Sequence, residues 1–337
     1  MTASCQSTSF IEEIPVPLTD LPLADLRTYS PDLAEPDDLD DFWAATLSES
    51  RALGAAPVLA PVDTPVRELV VEDLTFPGFA GEPVRAWVVR PPAPGPHPCV
   101  VEYLGYNGGR GVPGEKLQWA AAGYVHVVMD TRGQGSGWGS GGHTPDPHGA
   151  GPAVPGFMTR GIEAPATYYY RRVFTDAVRL VDAVRTLPFV DRDRVAVTGA
   201  SQGGGISLAA AALAGDLVAA CLPDVPFLCH FRRAVELTPE LPFTEVVRYL
   251  AVHRGSDAAV FRTLSYFDGA VLARRARVPA LFSVALMDAI VLPSTVFAAF
   301  NAYAGEDRSI EVYPWNGHEG GQVPHWARQV EWLGPRL

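Results

Sequence analysis

One stretch restricts the folds open to this chain more than any other. Residues 195–213 begin as a short apolar run, Val195, Ala196 and Val197. They pass through Gly199-Ala200-Ser201-Gln202-Gly203 and end in an Ala- and Leu-rich segment of high helical propensity. A strand that turns at once into a helix holds the middle serine of such a G-x-S-x-G pattern in a strained backbone conformation. Glycines two residues to either side keep side chains from colliding at the turn. The serine hydroxyl then stands exposed at a helix N-terminus, where N–H groups and the macrodipole favour developing negative charge. The five-residue pattern alone is weak, and the strand before it and the helix after it give it meaning. Ser201 is the candidate nucleophile.

The remaining segments supply a scaffold for such a turn. Residues 1–36 are Pro-rich and acidic. Residues 37–47 read as a helix with Asp37 as N-cap, and Leu39, Phe42, Trp43 and Leu47 form one apolar face that docks on the main body. Residues 68–76 and 84–89 read as a hairpin. Residues 99–104 form the next strand, which runs into Gly105-Tyr106-Asn107-Gly108-Gly109, followed by a helix over 115–122. Residues 124–129 are a buried strand, and His126 within it reads as a packed core histidine. A Gly-rich loop occupies 131–165, and a long loop in a compact domain is usually functional or interfacial.

Residues 168–187 are strongly helical, with Val173, Ala177, Leu180, Val181, Val184 and Leu187 at helical spacing. Residues 191–194 read as a turn into the nucleophile strand. Beyond the elbow, 219–223 form a strand and 227–276 a helical, aromatic insertion over the site. Strands follow at 279–285 and 310–313, then a helix over 326–333. Alternating strands and helices, with the strands apolar throughout, predict an α/β fold: a mainly parallel sheet with helices on both faces and an antiparallel edge from the hairpin. Residues 1–337 read as one domain, with 1–60 an N-terminal docking segment.

The bulk properties exclude several function classes. With 337 residues, 47% hydrophobic and 19% charged, the chain can build a large core without disulfides. A net charge of −12 disfavours a surface that tracks phosphates, so nucleic acid and anionic membranes are poor partners. Cys5, Cys99, Cys221 and Cys229 include no C-x-x-C pair and suggest neither a disulfide framework nor a zinc site; Cys99 reads as a buried small hydrophobe. Residues 1–10 carry neither a basic n-region nor an apolar h-region, which leaves the cytoplasm as the expected compartment.

A serine hydroxyl needs a base, and the base needs an orienting acid. In α/β-hydrolases the chain order is serine, acid, histidine. His230, His253, His318 and His325 follow Ser201. His318 lies in Asn316-Gly317-His318-Glu319-Gly320-Gly321, a loop just after the last strand, where a base projects from the sheet's C-terminal edge. His325, near the start of the last helix, is the weaker choice. Asp288 ends the segment after the preceding strand and suits the acid role, its alternative being a cap for the helix starting near Pro293. Asp268 and Asp307 are less well placed. The oxyanion hole would use the backbone N–H of Gln202 and a second from the loop after an earlier strand, for which Tyr106 is the candidate.

These residues resemble those of a known family, the carbohydrate esterases of family 7, which comprises acetyl xylan esterases and cephalosporin C deacetylases. Arg132-Gly133-Gln134 is similar to the start of its R-G-Q-x-x-S signature, with Ser136 one position earlier than the signature's serine. Gly199 to Gly203 resembles its G-x-S-Q-G, and His318-Glu319 its His-Glu element. Residues 161–178 and 226–233 also look like the family, as do 286–288 and 293–299, and the likeness covers nearly the whole chain.

The resemblance implies an α/β-hydrolase fold and removal of acetyl groups from small substrates such as acetylated xylo-oligosaccharides and cephalosporin C. It implies Ser201, Asp288 and His318 as triad, Tyr106 and Gln202 as oxyanion donors, no metal or organic cofactor, and a homo-oligomer. In this family that is typically a hexamer with sites facing an internal chamber. Leu104 and His230 depart from the residues expected there, which leaves acyl-chain preference open. Arg132 and Gln134 are read as braces for the loops around the nucleophile. Two other readings stand beside this one: a general carboxylesterase or a peptidase of the prolyl-oligopeptidase type, and a catalytically dead hydrolase-fold binding module.

Overall fold

The apolar runs of the sequence become neighbouring strands of one sheet. The computed structural model describes residues 20–148 and 156–337. Cys5 and residues 1–10, on which the expected compartment rests, lie outside the described residues, as do residues 149–155 of the Gly-rich loop. The strands are β1 (Val58–Pro61), β2 (Val70–Pro77), β3 (Pro83–Arg90), β4 (His97–Tyr103), β5 (Val125–Met129), β6 (Val190–Ala200), β7 (Ala220–Asp224), β8 (Ala280–Ala285) and β9 (Arg308–Tyr313). Their spatial order is β1-β2-β3-β5-β4-β6-β7-β8-β9. Pairs from β1 to β5 along this order are antiparallel, and every pair from β5 through β4 to β9 is parallel.

Both faces of the parallel part are buried, which is why its strands read as apolar throughout. Along β4, Cys99, Val101 and Tyr103 belong to the larger core, and Val100 faces a second one with Ala196, Leu222 and Leu281. The short helices α1 (Leu23–Leu26) and α3 (Gln118–Ala121) flank α2 (Leu39–Ala52) in the chain. α4 (Tyr169–Val184) and α5 (Gln202–Ala214) pack on the larger core. The insertion consists of α6 (Phe231–Leu237), α7 (Thr244–Val252), α8 (Asp257–Ser265) and α9 (Gly269–Leu272). α10 (Pro293–Ala302) and α11 (Gln322–Leu333) complete the chain. Trp332 and Leu333 of α11 and Trp119 of α3 close the second core. Among the described residues no helix is long and apolar enough to cross a membrane.

Four local expectations need correction. Asp38, not Asp37, stands at the N-cap of α2, and its carboxylate makes no capping bond because the Tyr266 hydroxyl donates to it at 2.5 Å. The helix expected over 115–122 is confined to α3, since Glu115 accepts from the Val112 amide and the residues ahead of Gln118 form turns. Residues 191–194 belong to β6, which β4 extends by pairing His97 with Val190 across a bulge. α11 starts at Gln322, with Pro324 in its first turn, where a missing N–H costs nothing. β1, short and ending in proline, carried too weak a pattern to be read as a strand.

Helix α2 docks as its apolar face predicts. Trp43 is buried, stacks on Phe174, meets Phe267 edge-on, and donates its indole N–H to the Tyr266 carbonyl at 3.0 Å. On the sheet, buried His126 is a core residue as expected, and it has a partner, with Nε2 2.7 Å from Glu102. Burial alone would raise the Glu102 pKa. Lys116 and His126 beside it instead hold the carboxyl down at about 2, from 4.5.

Two outcomes follow. Trp43→Ala should cost about 3–5 kcal/mol in urea unfolding, through the lost ring volume and the freed carbonyl. A carboxyl whose pKa is lower folded than unfolded adds stability that is fully present above about pH 4.5 and is lost as pH falls toward about 2. Glu102→Gln should therefore shrink the acid-induced loss of stability across that window, measured by urea unfolding at a series of pH values.

Candidate active site

At the junction of β6 and α5, Ser201 adopts φ 57° and ψ −120°, a conformation that costs a non-glycine residue about 1–3 kcal/mol. Three backbone hydrogen bonds hold it there. The Ser201 N–H donates to Asp224 O at 3.0 Å, and Ser201 O accepts from Phe227 N at 2.9 Å and Gly205 N at 3.1 Å. The flanking glycines are needed for space: a Cβ at Gly199 would lie 2.5 Å from the Gly203 carbonyl carbon, and one at Gly203 would lie 2.2 Å from Tyr103 O. The sharp turn exists because α5 approaches β4 and β6 this closely.

The loop after β9 brings His318 to this serine. Its Nε2 lies 3.0 Å from Ser201 Oγ, and its Nδ1 lies 2.8 Å from Asp288 Oδ2. Asp288, on the turn after β8, is 1% exposed. Its other oxygen accepts from the amides of Ile290 and Val291, both at 2.9 Å. The carboxylate thus accepts from two amides and one ring N–H. It does not cap α10, whose N-cap is Leu292. An Nδ1–H donated to Asp288 leaves the Nε2 lone pair facing the hydroxyl, the tautomer a base requires. Ser201, His318 and Asp288, far apart in sequence, stand in one hydrogen-bonded line.

The other candidates go elsewhere. His325 lies on α11, buried, with Nδ1 2.9 Å from the Tyr313 hydroxyl. His230 meets Tyr29 at 3.0 Å, and burial pushes its pKa down to about 4. Asp268 accepts the amides of His230, Phe231 and Ala270, and Asp307 pairs with Arg336.

Tyr106 follows β4, and Gln202 opens α5. Among the described residues neither backbone N–H donates to a protein acceptor. The Gln202 side chain is fully engaged: its Nε2 donates to Leu104 O at 3.0 Å, and its Oε1 accepts from Tyr170 Oη and Gln134 Nε2, both at 2.9 Å. Gln134 Oε1 in turn accepts the Asn107 amide at 2.6 Å. One amide side chain thus ties the loop after β4 to the first residue of α5. The brace expected of Gln134 is present, and so is that of Arg132, which bonds Asp176 at 2.6 and 2.8 Å and Glu82 at 2.6 Å. Burial would lower the Arg132 pKa, but these carboxylates raise it above its ordinary value.

Ser201 and His318 open into a cavity of about 660 Å³, walled by Tyr106, Trp138, Phe157, Leu241, Glu245 and Ile290. Leu241 and Glu245 come from residues 227–276, so the insertion does reach over the site. Trp138 anchors its ring by donating Nε1–H to Tyr106 O at 2.7 Å. Sequence reasoning overlooked Trp138 and Glu245. A Trp in a Gly-rich loop and a Glu in a helical insertion carry no local pattern that assigns them to a site formed by other segments.

Comparison with known proteins identifies relatives of the whole chain. The family described as "Acetyl xylan esterase (AXE1)" matches residues 16–335. The acetyl xylan esterase from Paenibacillus sp. R4 is 38% identical, with a TM-score of 0.87 over 94% of this chain and 100% of that one. Acetyl xylan esterase 1 from Thermoanaerobacterium sp. JW/SL YS485 is 34% identical, with a TM-score of 0.85 over 94% and 99%. An acetyl esterase of Xylanibacter ruminicola is 24% identical over 90% of this chain and 69% of its own length.

The close approach at the elbow has a direct test. Gly203→Ala places a methyl against the Tyr103 carbonyl, so it should lower the thermal unfolding midpoint by several degrees and disrupt the site, whereas Ala209→Gly, further along α5, should cost only about 1 kcal/mol.

Proposed function

The chain belongs to the acetyl xylan esterase family and is a carboxylic ester hydrolase acting on acetyl esters; we propose that it does so through an acetyl-serine intermediate on Ser201. The observation that carries this reading is the line from Ser201 Oγ through His318 to Asp288, at 3.0 and 2.8 Å.

Ser201 Oγ attacks the acetyl carbonyl carbon while His318 Nε2 takes its proton. Asp288 holds the ring and favours the imidazolium that forms. The negative charge developing on the carbonyl oxygen is met by the N–H groups of Tyr106 and Gln202, both free of other acceptors among the described residues. His318 returns the proton to the departing alkoxide, and the alcohol leaves. Water then enters, gives a proton to His318, and attacks the acetyl-serine. Collapse of the second intermediate releases acetate and restores the Ser201 hydroxyl. The electrostatics and proton transfers are supplied by side chains and backbone alone.

The substrates that suit this site are small acetylated molecules, among them acetylated xylo-oligosaccharides and the acetyl ester of cephalosporin C. A cavity of about 660 Å³ exceeds what an acetyl group fills. In this reading the surplus receives the alcohol. A general short-chain carboxylesterase would use the same space for longer acyl groups, and this observation keeps that second reading in play.

Hydrolysis of p-nitrophenyl acetate, butyrate and octanoate separates them. Turnover should fall steeply with chain length; equal or better turnover of octanoate favours the general esterase. Ser201→Ala should lower kcat by several orders of magnitude, and Asp288→Asn by about 10⁴. An intact protein that neither hydrolyses these esters nor reacts with a fluorophosphonate probe would be a binding module instead.

A further inference from the structure

One charged group in the cavity wall has no part in the mechanism above. Glu245 sits in the first turn of α7 and is 3% exposed. Its Oε1 accepts from the Tyr106 hydroxyl at 2.7 Å, and its Oε2 accepts from the Met158 amide at 3.0 Å. The Tyr106 hydroxyl itself accepts from the Phe157 amide at 2.5 Å. Glu245 therefore joins three segments distant in sequence: the loop after β4, the end of the Gly-rich loop, and the insertion.

This arrangement is costly unless it does something. A buried carboxylate is tolerated when paired or well hydrogen-bonded, and apolar replacement of buried charges is often neutral or stabilising. Among the described residues no Lys, Arg or His lies within ion-pair distance of Glu245; Arg160 and Arg248 act on it only from further away. A carboxylate in a cavity wall, gripped by one phenol and one amide, is a functional-site candidate on physical grounds.

It grips the residue read above as the second oxyanion donor. Around Tyr106, the carbonyl is held by Trp138 and the following amide by Gln134. The side chain lies edge-on to Phe157 and Phe227 and is hydrogen-bonded through its hydroxyl to Glu245 and Phe157. These contacts fix the peptide after Tyr106 and the tip of its side chain, and the Gly105 carbonyl, which shares a peptide with the Tyr106 N–H, accepts the Gly108 amide at 3.1 Å; the anchored side chain limits how far the Tyr106 Cα can turn.

We propose that Glu245 is a positioning residue for the oxyanion hole: by holding the Tyr106 hydroxyl, it fixes the direction in which the Tyr106 N–H meets the developing oxyanion. The proposal rests on the reading of Tyr106 as an oxyanion donor. It makes the insertion part of the catalytic geometry as well as the pocket wall. A misdirected donor loses transition-state stabilisation while ground-state binding is largely kept.

The test is a double-mutant cycle of Tyr106→Phe and Glu245→Leu, with Glu245→Gln as the conservative variant. Each is read by kcat and KM on p-nitrophenyl acetate, by the rate of fluorophosphonate labelling of Ser201, and by thermal midpoint. Phosphonylation develops charge at the same hole whatever the natural ester, so it separates failure of this proposal from failure of the acetylesterase reading. Tyr106→Phe and Glu245→Leu should each lower kcat and the labelling rate by about 10- to 100-fold with KM within about twofold, in line with the cost of small misplacements. The double variant should be no slower than the slower single variant, because both break one link. Glu245→Gln, which can still accept from the hydroxyl, should recover most of the rate.

Wild-type kcat and labelling in Tyr106→Phe would overturn the proposal. So would losses that multiply in the double variant, or a fall in thermal midpoint with unchanged rates. If Glu245→Leu does not fold, Tyr106→Phe and Glu245→Gln still decide the matter, since each changes only a polar terminus.

Discussion

The site depends on how closely the first turn of α5 approaches the ends of β4 and β6. Gly203 lies so near the Tyr103 carbonyl that no side chain fits between them, and Gly199 lies as near to Gly203. That contact forces the backbone at Ser201 into its strained conformation, and the bonds to Asp224, Phe227 and Gly205 hold it there. The strain lifts the hydroxyl out of the sheet and leaves the Gln202 N–H directed away from the helix ladder. The proposed nucleophile and one proposed oxyanion donor are thus products of a single packing constraint, supported by strands buried on both faces.

Around this rigid centre, the loops are held by polar groups taken out of water in matched sets. Arg132 binds Asp176 and Glu82, and Arg172 binds Asp146, tying the Gly-rich loop to α4. Such buried pairs add little net stability, because desolvation offsets most of the attraction, but breaking one leaves an uncompensated charge. They therefore act as constraints on arrangement. The side-chain amides of Gln134 and Gln202 do the same without charge next to Ser201.

Much of this was legible in the sequence because local chemistry carried it. The strand–turn–helix context pointed to Ser201, and chain order with element position narrowed the base and the acid to His318 and Asp288, which the structure brings into line. The apolar strands predicted the parallel sheet. What was not legible depends on long-range meetings. Glu245 and Tyr106 are 139 positions apart, and nothing in either neighbourhood foretells their bond. Gln134 reaches Gln202 across 68 positions. Asp38 and Glu115 defeated local helix rules because tertiary or turn partners claimed their side chains. Residues 191–194, rich in charge, look like a turn, yet pairing with β4 extends the strand through them.

The central claim is that the acetyl group passes through Ser201. Rapid acid quench after mixing with p-nitrophenyl acetate, followed by intact and peptide mass spectrometry, observes that intermediate directly. One acetyl group per chain, confined to the peptide that carries Ser201 and formed no more slowly than turnover, is the predicted result. Turnover with Ser201 unmodified at every quench time, or acetylation of a different side chain at the rate of turnover, would contradict it.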